Sequence, residues 1–97
     1  MANFTKQAIK ASFMKLLNQK PLSKISVRDI VEEGILTQIR QEDGCLAYDY
    51  YFSAQDENEV LLIERWESAA HQRVHMEQPH MARLREIKDK YLSLIHI

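Results

Sequence analysis

Cys45-Leu46-Ala47-Tyr48-Asp49-Tyr50-Tyr51-Phe52 and Glu59-Val60-Leu61-Leu62-Ile63-Glu64-Arg65-Trp66 are the two segments that decide the fold. Both are rich in aromatic and β-branched residues, which suit a pleated, half-buried surface, and both read as strands. The link between them, Ser53-Ala54-Gln55-Asp56-Glu57-Asn58, is polar and of hairpin length, so it predicts an antiparallel pair. Just upstream, Glu42-Asp43-Gly44 is a turn signal. Downstream, Ser68 can cap a helix that runs to about Gln78. Pro79 suits the first turn of another helix, in which Met81, Leu84, Ile87 and Tyr91 form a stripe. Ala70, Val74, Met81, Leu84 and Ile87 are the positions expected to face the sheet.

Toward the N-terminus the apolar period becomes helical. Thr5 can cap a first helix whose stripe is Ile9, Phe13, Leu16 and Leu17. Lys20-Pro21-Leu22-Ser23 ends it, because Pro21 disfavours α geometry at Lys20 and cannot donate a backbone hydrogen bond. Ser26 caps a second helix with Asp29 reaching back to it, and Ile30, Val31, Ile35 and Ile39 keep helical spacing to about Gln41. Gly34 falls inside that pattern, so the helix either crosses it or bends there. The element order is α-α-β-β-α-α, an α+β fold.

At 97 residues the chain is expected to form one domain. Its 45% hydrophobic and 28% charged residues match an ordinary soluble globular protein. No apolar run approaches the roughly 18 residues needed to span a bilayer. The start of the chain lacks the apolar core of a signal peptide. Cys45 is the sole cysteine, which agrees with a reducing compartment, and the cytoplasm is the expected location. Residues 1–33 are net basic and residues 34–97 net acidic. This is ordinary surface variation or, alternatively, a nucleic-acid-facing segment.

Two resemblances follow from longer motifs. Thr5-Lys6-Gln7-Ala8-Ile9-Lys10, Phe13-Met14-Lys15-Leu16-Leu17 and the run from Lys20 to Glu33 resemble the start of tetracycline-repressor-type regulators. The recognition helix of that family does not follow; Gly34-Ile35-Leu36-Thr37-Gln38-Ile39-Arg40 stands in its place. Base readout needs side chains in the groove, so no specific nucleic-acid binding is expected. From Gly34 to Tyr91 the chain resembles the antibiotic biosynthesis (quinol) monooxygenase family. Ile39 to Tyr51, Leu61 to Ser68, and then His71, His75 and Pro79-His80-Met81 are similar to its signatures. The resemblance implies a ferredoxin-like fold of the dimeric α+β barrel type, here truncated and preceded by two helices. It also implies a homodimer and a small aromatic or polyphenolic substrate, oxidised with O2 as co-substrate without metal or flavin. Haem is the minor alternative. A strand and helix would precede Arg40 in that family, so one central strand is expected to be missing. Leu92 to Ile97 reads like translated sequencing adapter. Three segments are thereby expected: 1–33 a regulator-like helical fragment, 34–91 the monooxygenase-like domain, and 92–97 a foreign tail. Together they make the chain a chimera with a seam at Glu33-Gly34.

The candidate catalytic residues are Trp66, His75 and Glu64. Trp66 either stacks on an aromatic substrate or is a core aromatic. Glu64 shares a strand face with Trp66 and Leu62, where a carboxylate among apolar groups could move a proton; alternatively it pairs with a cation at the rim. Tyr48, Tyr50, His71 and His80 are candidate substrate-binding residues, the histidines as hydrogen-bond partners of a phenolic oxygen. Glu67, His71 and His75 share helical spacing, but ligands eight residues apart cannot easily converge on one ion, so no metal site is expected. Cys45 reads as a small buried hydrophobe. Two non-enzymatic readings compete: a DNA-binding regulator fragment, and a dimeric ligand-binding module without turnover.

Overall fold

The computed structural model of the chain describes residues 13–20 and 22–95. In chain order the elements are β1 (Phe13–Asn18), α1 (Lys24–Glu32), α2 (Ile35–Arg40), β2 (Cys45–Phe52), β3 (Val60–Trp66), α3 (Ala69–Met76) and α4 (Pro79–Ile95). The three strands form one antiparallel sheet in the order β1-β3-β2, with helices against one face. This is an α+β fold of the ferredoxin-like kind.

The first strand is present. Phe13–Asn18 pairs along β3 from Phe13 opposite Trp66 to Asn18 opposite Leu61, where the sequence pattern predicts helix and a missing strand. Phe13, Lys15 and Leu17 turn toward the helices while Met14, Leu16 and Asn18 face outward. Phe13 and Leu17 are four apart, a spacing that fits a helix stripe and a strand face equally well. Lys15 on the inner face hides the alternation. The expectations resting on Thr5, Ile9, Pro21 and residues 96–97 lie outside the described residues.

Helix α1 starts one turn earlier than expected. Ser23, not Ser26, is the N-cap, in extended backbone geometry. Ser26 sits at the third helical position with its Oγ accepting from Ser23 N–H at 2.7 Å, the reciprocal half of a capping box. Gly34 then adopts φ 77°, which ends α1 and turns the chain into α2. Leu22, Val27 and Ile30 before this turn lie in the same core as Ile35, Leu36 and Ile39 after it. Glu33-Gly34, the expected boundary, lies at the helix–helix turn between these two sets of core residues. Likewise α4 runs without a break through Ile95, into the stretch expected to be foreign.

A register shift between Cys45 and Ala47 inserts Leu46 as an extra residue in β2. It puts both Cys45 and Tyr48 on the inner face, opposite Trp66 and Glu64 respectively. Tyr48, Val60, Leu62 and Trp66 form the sheet side of the core; Met81, Leu84 and Ile87 of α4 close over it. Phe52, at the strand end, is exposed. Helix α3 corrects a second expectation. Ala70 and Val74 point to solvent, and Gln72 and His75 are the buried residues. No helix among the described residues is long and apolar enough to cross a membrane.

Candidate active site

The buried face of α3 is polar because it meets polar groups on the sheet. Glu64 and Trp66 lie two apart on β3 and so project to the same side. Trp66, fully buried, donates its indole N–H to Glu64 Oε1 at 3.0 Å. Ser68 caps α3 by accepting from His71 N–H, and two turns later the helix carries His75 inward. The His75 ring lies against the indole, with centroids 4.6 Å apart and planes inclined by 34°. Tyr48 packs on its other flank at 5.5 Å. Trp66, Glu64 and His75, the three candidate catalytic residues, form one cluster.

A fourth member, Glu42, carries no motif that marks it. It belongs to the turn between α2 and β2, yet its Oε2 lies 2.9 Å from His75 Nδ1 and 2.7 Å from His80 Nε2. His75 thus stands between two carboxylates. Its Nε2 is 3.9 Å from Glu64 Oε1 and makes no hydrogen bond. A carboxylate only accepts, so Nδ1 is the donor toward Glu42, and a neutral ring then leaves Nε2 as an acceptor. Carboxylates as buried as Glu42 and Glu64 need donated hydrogen bonds, which the two imidazoles and the indole supply.

His75 also lines a cavity of about 160 Å³ between the sheet and α4. Its walls are apolar at Leu17, Tyr48, Leu62, Met81 and Leu84. Its polar groups are Glu64, His75 and Gln19, and its cations are Lys15, Arg85 and Lys88. Gln19 Oε1, like His75 Nε2, is buried there without a hydrogen-bond partner. Burial raises the Tyr48 hydroxyl far above the ordinary phenol range and pushes Tyr50 up to about 12, so both stay neutral phenols. Burial also lowers Lys88 below an ordinary lysine.

Several sequence expectations are redistributed by this geometry. Trp66 does not line this cavity; it packs on His75 and donates its N–H to Glu64. Tyr50 lines a separate groove with Leu36 and Arg40. His71 turns outward, 2.6 Å from Ser68 Oγ and 3.5 Å from Asp43. His80 reaches the site only through Glu42. Glu67 is exposed and outside α3, so the Glu67, His71 and His75 spacing makes no site. Among the described residues, the group whose ligand atoms come close enough for a metal is Glu42, His75 and His80. Cys45 is half-buried, and burial raises its thiol above the ordinary range, as expected for a packing residue.

Sequence and structure comparisons place this arrangement among known proteins. The family described as antibiotic biosynthesis monooxygenase matches residues 23–87, a span that crosses Glu33-Gly34 without a break. Rv0793 of Mycobacterium tuberculosis, provisionally designated a monooxygenase, is 36% identical over 73 residues. That alignment covers 75% of this chain and 66% of Rv0793, a little under two thirds of its length. The solved structure of Rv0793 superposes with a TM-score of 0.58 at 29% identity, covering 77% of this chain and 74% of that one. A crystal structure of an antibiotic biosynthesis monooxygenase gives a TM-score of 0.62 at 28% identity, covering 80% and 84%. A conserved protein from Methanosarcina mazei Go1 shares the fold, with a TM-score of 0.69 at 11% identity over 90% and 85% of the two chains. The chain belongs to the antibiotic biosynthesis monooxygenase family.

Proposed function

We propose that the protein is a cofactor-independent monooxygenase that oxidises a single-ring phenol or quinol with O2. The observation that carries this reading is His75, whose buried Nε2 has no hydrogen-bond partner and whose Nδ1 is held by Glu42, in the lining of a cavity with Leu17, Tyr48, Leu62 and Met81. An apolar cavity of about 150 Å³ holds one benzene ring, so about 160 Å³ suits one ring and not a polycyclic substrate. His75 Nε2 takes the hydroxyl proton of the bound phenol, and the ring becomes electron-rich enough to reduce O2 directly. A ring carbon bonds to oxygen as a hydroperoxide. Loss of that carbon's hydrogen with cleavage of the O–O bond leaves a quinone carbonyl and releases water. One oxygen atom enters the product and the other leaves as water. The protein supplies orientation and a hydrogen bond from the protonated imidazole to the developing anion.

We also propose a homodimer formed through the uncovered sheet face. Met14, Leu16, Leu61 and Tyr51 lie there, 58%, 61%, 39% and 51% exposed. An apolar sheet face of this kind in water marks an interaction surface.

The test is an oxygen electrode with methylhydroquinone and phenol, combined with 18O2 and mass analysis of the product. One labelled oxygen per quinone made from phenol, abolished in His75→Ala, is the expected result. Tight binding of the phenol with no O2 uptake would replace the enzyme reading with a ligand-binding module.

A further inference from the structure

Glu42, His75 and His80 come from three different elements: the turn before β2, the end of α3 and the first turn of α4. Their ligand atoms nevertheless all lie within 4.8 Å of one another. The side chains are 10%, 1% and 14% exposed, so the cluster is shielded from water. We propose that these three residues form a binding site for one divalent first-row transition ion, of which Zn2+ is the probe.

Two imidazole nitrogens and one carboxylate oxygen are a donor set that such ions favour. Bonds of about 2.0–2.2 Å in tetrahedral array need ligand atoms roughly 3.4 Å apart. Glu42 Oε2 is already 2.9 Å and 2.7 Å from the two imidazole nitrogens, so these ligands need to part by roughly 0.5–0.7 Å. The ion replaces the two protons now lying between the carboxylate and the rings. Those protons pass, by exchange with solvent, to the opposite ring nitrogens, so that both rings bind as neutral imidazoles.

The surroundings give independent support. A histidine bound to metal through one nitrogen almost always donates from the other to a carboxylate or carbonyl. His75 Nε2 is buried without a partner and lies 3.9 Å from Glu64 Oε1, which Trp66 holds in place. With Nδ1 giving its proton to Glu42, Nε2 points a lone pair toward that carboxylate. With an ion on Nδ1, Nε2 carries the hydrogen and Glu64 becomes its acceptor. An ion also has a way in, because Glu42 lines an open groove of about 310 Å³ on the outer side of α3.

Occupancy would convert His75 Nε2 from acceptor to donor. An ion would therefore inhibit the proposed oxidation. This consequence rests on the proposed function, whereas binding does not.

The experiment uses the full chain stripped with chelator. Co2+ titration is followed by its visible absorption, Zn2+ stoichiometry by elemental analysis after dialysis, and Zn2+-dependent thermal shift is read in parallel. One ion per chain is expected, with Co2+ bands typical of four-coordinate nitrogen and oxygen ligation. His80→Ala is a mild change at a helix start and should weaken binding by at least about tenfold, while His71→Ala leaves it unchanged. No saturable binding to the wild-type chain, or equal binding by His80→Ala, would overturn the site. Binding without any quinol oxidation by the ion-free protein would keep the site and remove the proposed activity.

Discussion

The His75 imidazole rests on the Trp66 indole, ring centroids 4.6 Å apart, while the same indole holds Glu64 by its N–H. One side chain therefore orients both a candidate base and the carboxylate beside it. Trp66→Phe keeps most of the apolar volume but leaves the buried Glu64 without its donor. This should cost roughly 2–3 kcal/mol, and Trp66→Ala about 3–5 kcal/mol. Adding Glu64→Gln to Trp66→Phe should recover part of the loss, since a neutral amide is cheaper to leave unpaired. Because Trp66 lies behind His75 and outside the cavity wall, the Phe variant should lower kcat more than it raises KM. Urea unfolding and steady-state oxidation check both. A Trp66→Phe protein as stable as wild type would show that the indole does not support Glu64.

The two glycines separate backbone strain from crowding. Both have positive φ, 77° at Gly34 and 80° at Gly44. A Cβ at Gly34 meets open space, whereas at Gly44 it would run into the His71 ring. Gly34→Ala should cost only the left-handed conformation, about 1–2 kcal/mol. Gly44→Ala pays the same and must also push His71 away from Ser68 and Asp43, so its loss should be clearly larger. Thermal unfolding of the two variants ranks them, and equal losses would mean that His71 is free to move.

Much of this architecture is written locally. The β2–β3 hairpin, the Ser68 cap and the Pro79 start follow from composition and turn chemistry confined to a few residues each. Strand β1 was hidden because Phe13, Leu16 and Leu17 also satisfy a helix period, and only the pairing with β3 selects between the two. The start of α1 is ambiguous over three residues because Ser23 and Ser26 both look like caps and in fact cap together. In α3 the assumption that apolar positions face inward fails, since its inner surface meets Glu64 and Glu42. Glu42 itself could not be found from spacing. Its partners His75 and His80 are 33 and 38 residues away, and locally it is one more acidic turn residue.

The outer sheet face tests the proposed dimer. Leu16 faces outward from β1 opposite Ile63 and is 61% exposed. Leu16→Lys puts a charge on that surface without touching the core, so the fold should survive. A charge that must be desolvated in an apolar interface should shift the wild-type dimer to monomer at micromolar concentration. Light scattering after size exclusion reads this directly. A monomeric wild type would dispose of the dimer.

The cations at the cavity mouth make the final prediction. Lys15, Arg85 and Lys88 line the cavity, and none has an ion-pair partner among the described residues. Lys88 is half-buried; desolvation lowers its pKa, Arg85 adds to the effect and Asp89 opposes it. An acidic group on an aromatic ring would relieve that desolvation by supplying the missing counter-charge. Benzoate should therefore bind about tenfold or more tighter than benzamide, the worth of one charge-assisted hydrogen bond. Lys88→Met should erase most of the difference. The sign of the pH dependence follows from the lowered pKa. The charge on Lys88, and with it the benzoate preference, is fully present below its folded pKa. It is lost as pH rises through that value, at a lower pH than for an ordinary lysine. Benzamide does not ionise and its affinity should stay flat across the same range. Calorimetric titration of both ligands against wild type and Lys88→Met gives the comparison. Equal affinities at neutral pH would show that the cations face solvent and take no part in choosing the ligand.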